Sequence, residues 1–317
     1  MPTFRIQHIT RYKYDRPVKE NVSQIRIFPL EDEMQTIVSS ELQITGNPMV
    51  EMSSDYFGNK VGEFGLVAPH QELTIDSRFV VHILEDWLPP SGVQATIGEV
   101  ADAIQFDLML IGLSEPEKIK SQEIIWQLLN ETDISNKPIV EIASACCAYI
   151  FRNFTYKKGI TTVETTIDEI LEHKSGVCQD FAHVLLQMLR TVGIPARYVS
   201  GYICPNKSGM RGEGATHAWV EYYLPGRGWI GLDPTNNVFA GPYHVRLATG
   251  RDFADCTPVK GTFKGLAHQS LSVFVSVGYE DGHVFEEMSD VEQPTGDVEG
   301  TEPWQDDLMA QQQQQQQ

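Results

Sequence analysis

Three residues in the middle of the chain belong to types that together perform nucleophilic catalysis: Cys178, His217 and Asp233. They stand in Ser175-Gly-Val-Cys178-Gln-Asp-Phe-Ala-His183, in Ala215-Thr-His217-Ala-Trp219-Val and in Trp229-Ile-Gly-Leu-Asp233-Pro-Thr235. Cysteine attacks a carbonyl only as the thiolate, so it needs a positive neighbour or a helix N-terminus. Histidine supplies the base and then the cation, and an acid behind it fixes its tautomer and orientation.

The surrounding sequence supplies elements that can position these groups. From Cys178 to Arg190, Phe181, Val184, Leu185, Met188 and Leu189 recur at helical spacing, and Gly193-Ile-Pro195 ends the run. Cys178 is therefore expected in the first turn of a buried helix. Unpaired N–H groups and the positive dipole end lie there, which favours a thiolate and can hold an oxyanion. Thr216 to Leu224 and Gly228 to Leu232 alternate, carry β-branched and aromatic residues, and flank Pro225-Gly-Arg-Gly228. That pattern predicts a hairpin. Its loop length matters, because a four-residue loop would pair Leu224 with Trp229 and turn His217 and Asp233 to opposite faces. A three-residue loop or a bulge restores a shared face, and the chemistry requires one of them.

These segments, with Gly-Ile-Pro-Ala-Arg-Tyr-Val-Ser-Gly-Tyr at 193–202, resemble the transglutaminase-like superfamily, specifically its bacterial branch of predicted cysteine proteases. The resemblance covers most of residues 115–240. It implies Cys178 as nucleophile, His217 as general base and Asp233 as third member, on a papain-like fold whose cysteine helix packs on an antiparallel sheet. It also implies an N-terminal β domain, which Asp55-Tyr-Phe-Gly-Asn59 followed by Val61 supports. The superfamily contains cross-linking transferases, amidases and members without catalysis, so the reaction stays open between them. Active forms share a thioester that passes to water or to an amine.

Other motif residues have structural readings beside functional ones. Asp180 disfavours a thiolate two residues away, so it is expected to hold a neighbouring strand or loop. Gln179 is a candidate oxyanion donor, although the Cys178 backbone N–H serves better, and His183 either supports the site or packs the helix. Trp219 and Trp229 are expected in the core or the cleft wall. Cys146 and Cys147 fall in a helical pattern and read as core, while Cys204 and Cys256 lack metal-ligand spacing. No metal or cofactor is expected.

The odd count of five cysteines, the absence of an apolar leader after Met1 and the lack of a long apolar run point to a cytoplasmic protein outside the membrane. The net charge is −19, but eleven acidic residues and no lysine or arginine follow from Glu280 onward, leaving about −8 on the rest. A nucleic-acid surface is disfavoured, and the expected partner is a peptide or protein substrate.

At 317 residues and 41% hydrophobic, the chain is long enough for two domains. Short alternating runs at 3–14, 22–29, 39–45, 56–67 and 72–84 predict an antiparallel β-sandwich over residues 1–92, with Leu88-Pro-Pro-Ser-Gly92 as linker. Residues 93–285 form the expected catalytic core. Its helices are predicted at 116–130, 138–153 and 166–173, and strands at 243–248 and 270–279 are expected to complete the hairpin's sheet. The whole is an α+β protein. Residues 286–317, acidic and ending in seven glutamines, are expected to be a disordered tail. Two functions follow: a thiol hydrolase or acyltransferase, with hydrolysis preferred because nothing resembles a calcium loop or an amine-admitting wall, or a binding module that keeps the fold.

Overall fold

The computed structural model describes residues 2–84, 92–161, 165–204, 209–212 and 215–279, with the backbone of 284–289. The expected linker lies almost wholly outside these residues, as does the expected tail beyond Ser289.

The N-terminal part is built on one strand, β1 (Thr3–Ile25). Phe4, Ile6, His8, Thr10, Tyr12, Tyr14 and Val18 are buried at even positions, whereas Asn21, Ser23 and Ile25 are buried at odd ones. The switch falls where the register against β13 (Val259–Lys264) slips between Lys19 and Val22, beside Glu20 at φ +50°. A bulge there bends the strand and joins into one strand the two runs expected at 3–14 and 22–29. The first half of β1 pairs antiparallel with β5 (His70–Ile83) and with β14 (Gln269–Tyr279). The second half pairs with β4 (Lys60–Leu66) and β13, while β2 (Gln35–Ile44) adds to β5, β3 (Glu51–Ser54) to β4, and β15 (Val284–Ser289) to β14. The expected sandwich is thus one curled antiparallel sheet, whose core also takes in Tyr202, Val245 and Leu247 of the second sheet.

The expectation that 270–279 completes the hairpin's sheet is corrected. That strand runs along β1 from Phe4 opposite Tyr279 to Tyr14 opposite Gln269. Alternation predicts a strand but does not name its partner.

The second sheet has the order β11–β10–β9–β8–β12, where β8 is Ala196–Ile203, β9 Thr216–Leu224, β10 Gly228–Asp233, β11 Val238–Phe239 and β12 His244–Gly250. Helices α1 (Ile97–Ile104), α2 (Leu108–Ser114), α3 (Gln122–Glu131), α4 (Ile139–Asn153), α5 (Ile167–His173) and α6 (Cys178–Thr191) precede it, and α7 (Phe253–Cys256) follows β12. Phe181, Val184, Leu185 and Met188 of α6 share one core with Ala196, Tyr198, Ala218, Val220 and Tyr222 of the sheet. Helix α3 starts later than the predicted Pro116, because the Asp168 carboxylate takes the Lys120 and Ser121 N–H groups at 3.3 and 2.7 Å and Gln187 Oε1 takes that of Glu117 at 2.9 Å. Those long-range acceptors compete with helical ones. No helix among the described residues is long and apolar enough to cross a membrane.

Candidate active site

Helix α6 begins at Cys178 because the chain just before it is pinned. Val177 has no side chain able to cap, so Asp180 holds this end instead: its Oδ2 accepts from the Val177 N–H and from Thr161 Oγ1, each at 2.8 Å. The carboxylate lies so close to Gly176 that a Cβ there would stand 2.4 Å from Oδ2. Gly176 in turn belongs to β7 (Ser175–Gly176), which pairs in parallel with β6 (Thr155–Tyr156). At the far end Gly193, at φ +80°, donates to the Arg190 carbonyl while the Ile194 N–H reaches Leu189, closing the helix. Burial pushes Asp180 up to about 6 against the two hydrogen bonds it accepts.

The hairpin adopts the shorter loop. Leu224 pairs with Gly228, leaving Pro225-Gly226-Arg227 as a three-residue connection, with Gly226 and Gly228 at φ +76° and +82°. Extended by one residue, this register sets Asp233 opposite Trp219 and on the same face as His217. The His217 Nε2 lies 3.0 Å from Asp233 Oδ2. An ionised carboxylate only accepts, so Nε2 carries the proton and donates. The other ring nitrogen, Nδ1, makes no hydrogen bond among the described residues, and the Cys178 thiol acts on the charge of the ring. Burial opposes a charged ring here, yet the Asp233 carboxylate and then the Cys178 thiol outweigh it and push His217 up to about 10. Cys178 and His217 are each 1% exposed.

Asp233 is saturated with donors. Besides His217, its Oδ2 accepts from Asn236 Nδ2 at 2.7 Å and from His244 Nε2 at 3.4 Å, while Oδ1 accepts from the backbone N–H groups of Thr235 and Asn236 at 2.9 and 3.3 Å. Burial opposes its charge, but the His217 cation and the hydrogen bonds from both histidines hold Asp233 well below the usual carboxylate range. The tautomer of His244 is set as well, since its Nδ1 accepts from the Gly241 N–H at 3.2 Å and Nε2 must therefore carry the proton. Trp219 is fully buried, stacks on His217 with centroids 6.3 Å apart, and meets His244 edge-on at 5.1 Å.

Cys178, His217, Asp233 and Trp219 thus come together, and the remaining candidates lie around or away from them. Gln179 is buried beside Cys178 with its Oε1 unpartnered. Asp180 ties α6 to Thr161, as described. His183 faces away: its Nε2 accepts from the Phe253 N–H at 3.4 Å, its ring meets Tyr198, and burial lowers it to about 4, so it is a neutral packing group. Trp229, at the other end of β10, carries the Arg197 guanidinium 4.3 Å from its ring centroid. Cys146 and Cys147 are buried in the helical core.

Two residues of the site escape sequence reasoning. His244 sits in a segment that reads simply as a strand, and the one signal is an imidazole directly after the Gly241-Pro-Tyr turn. Asn236 is three residues beyond Asp233, a spacing that suits a side chain folding back onto the aspartate.

A model of the transglutaminase-like superfamily matches residues 127–234, and one of the bacterial transglutaminase-like N-terminal region matches residues 4–82. An uncharacterized protein of Mycobacterium leprae is 31% identical over 279 residues, covering 86% of this chain and 97% of that relative. The chain belongs to the transglutaminase-like superfamily. A solved structure of a candidate cysteine protease from Cytophaga hutchinsonii shares the fold of this transglutaminase-like chain, with a TM-score of 0.69 at 22% identity over 91% of this chain and 94% of that one. A protein-glutamine gamma-glutamyltransferase of Pseudomonas aeruginosa is 37% identical over 90 residues, which is 27% of this transglutaminase-like chain and 14% of that enzyme.

Proposed function

We propose that this transglutaminase-like protein is a thiol hydrolase of peptide or carboxamide bonds, with Cys178 as nucleophile, His217 as general base and Asp233 as the group that orients His217. The observation that carries this reading is the buried His217 ring, held through Nε2 by Asp233, with the charge of the ring supported by Asp233 and by Cys178. Nδ1 takes the thiol proton, and the thiolate attacks the carbonyl carbon. The resulting oxyanion is stabilised at the N-terminus of α6, where first-turn N–H groups lack helical acceptors. The C–N bond then breaks as the imidazolium hands its proton to the departing amine or ammonia. Water, deprotonated by His217, attacks the thioester, and cleavage of its C–S bond releases the acid and restores the thiol.

Acyl transfer is the second reading, supported by the partial match to the Pseudomonas aeruginosa glutamyltransferase. In it a primary amine replaces water in the last step. The test is turnover of a glutamine-containing peptide library with and without an added primary amine, with Cys178→Ala as control. Released acid or shortened peptide without amine incorporation supports hydrolysis, and predominant incorporation replaces it by transfer. Turnover that persists in Cys178→Ala rejects both.

A further inference from the structure

The segment before β9 brings a cation to the rim of the site. Gly212, at φ +81°, packs so tightly on His217 that a Cβ there would lie 2.8 Å from Nδ1. The preceding residue, Arg211, is gripped on both sides of its backbone by Asn236, whose Oδ1 accepts from the Arg211 N–H at 2.8 Å and whose Nδ2 donates to the Arg211 carbonyl at 3.1 Å. Asn236 is the same residue that donates to Asp233, so one amide fixes both the carboxylate and the position of Arg211.

The side chain is held differently. Its guanidinium carbon lies 5.4 Å from the ring centroid of Phe151 and 5.7 Å from that of Tyr156. Tyr156 is paired with Gly176, two residues before Cys178. An aromatic shelf orients a guanidinium through its face and leaves the N–H groups at its edge for a ligand. Among the described residues none pairs with the Arg211 guanidinium through a carboxylate, and the residue is exposed. The arginines of the second sheet are treated otherwise: Arg197 is paired with Glu221 at 2.6 Å, and Arg246 with Asp32 at 2.6 Å. A pre-oriented guanidinium that has no carboxylate partner among the described residues, next to the glycine that packs on His217, fits an anionic ligand with planar oxygens.

We propose that Arg211 forms a subsite for a carboxylate that the substrate peptide carries close to the attacked carbonyl. This rests on the reading of Cys178 as nucleophile. A substrate of that class is steered to the site against the negative charge of the rest of the chain.

The probes are alkylating reagents, which need no known substrate: N-iodoacetyl-glycine and N-iodoacetyl-β-alanine, each compared with its uncharged methyl ester. In each the thiolate displaces iodide as the S–C bond forms. The readout is the ratio of anionic to neutral alkylation rates at Cys178, located by mass spectrometry, in wild type, Arg211→Gln and Arg211→Lys. Any attraction by the His217 imidazolium is common to all three proteins and cancels. For at least one reagent length, the ratio is expected to fall about three- to tenfold in Arg211→Gln, with Arg211→Lys between, and to fall in wild type as salt is raised. Equal ratios in wild type and Arg211→Gln at both lengths, with the esters alkylating Cys178 normally in wild type, overturn the subsite alone. Folded wild type in which neither ester modifies Cys178 overturns the nucleophile itself and the subsite with it.

Discussion

Asp233→Asn is the most searching perturbation, because its effect follows from five donors converging on two oxygens. An asparagine keeps one acceptor oxygen and brings two N–H groups. If that oxygen stays with the Thr235 and Asn236 backbone, the amide N–H groups turn toward His217, His244 and Asn236 Nδ2. His217 then has to move its proton to Nδ1, the nitrogen needed to accept from Cys178. Loss of the anion also removes the largest influence that outweighs burial at His217, so the ring loses its charge near neutral pH. With no acceptor nitrogen and no cation offered to Cys178, its alkylation by iodoacetamide at pH 7 is expected to slow roughly tenfold or more in Asp233→Asn, and the misdirected donors to cost roughly 3 kcal/mol of stability or more. The assay is a labelling time course with the site mapped by mass spectrometry, run beside near-ultraviolet circular dichroism to establish that the variant is folded. A folded variant whose Cys178 labels at the wild-type rate would refute the assignment of Asp233 as the group that sets the His217 tautomer.

The raised His217 value makes a statement about stability. Its contribution is complete below the unfolded value of about 6.5 and drains away as pH rises toward the folded value of about 10, by at most about 1.4 kcal/mol per pH unit; denaturant titrations of wild type and His217→Gln should show a difference that shrinks over that range, and a constant difference contradicts it. Asp180 has the opposite character, being an acid raised to about 6, so the folded state favours its neutral form and wild type should lose stability relative to Asp180→Asn as pH rises from about 4 to 6. Parallel curves for the two proteins in that window count against a buried carboxyl there. His244→Ala should slow Cys178 alkylation several-fold, whereas His244→Gln, whose amide N–H can reach Asp233, should retain most of the rate; equal rates in the two variants would leave His244 a packing role only.

The grouping of Cys178, His217 and Asp233 is legible in the sequence to a greater depth than the strand pairing around it. Cys178, His217 and Asp233 announce themselves because each lies in an element whose local pattern is strong. The face shared by His217 and Asp233 is legible only as a condition on loop length. Pro225-Gly226-Arg227-Gly228 is compatible with both loops, and the three-residue one is realised with two glycines in the left-handed region. His244 is invisible for another reason: its role comes from a strand that returns beside β8, and only that pairing carries the ring to Asp233. Helix α1 goes unread although Thr96 and Glu99 form a capping box, because Pro and Gly clusters upstream draw attention to a linker. The start of α3 depends on Asp168 and Gln187, partners 47 to 70 residues away.

The return of β13 and β14 to β1 bears on how the molecule is made. In a chain synthesised from its N-terminus, β1 emerges well before β14, so one flank of its first half stays uncovered until Gln269–Tyr279 has been translated. The second sheet, whose strands lie between Ala196 and Gly250, is complete before that happens. The N-terminal sheet is therefore the last large unit to close, after the loop of greatest sequence separation in the fold. Throughout elongation the nascent protein carries a long, half-paired strand edge rich in apolar residues, the kind of surface that chaperones bind and that pairs wrongly with its own copies. Losing β13 and β14 by early termination would leave the Cys178 helix and its hairpin encoded in full while stranding β1 without two of its partners.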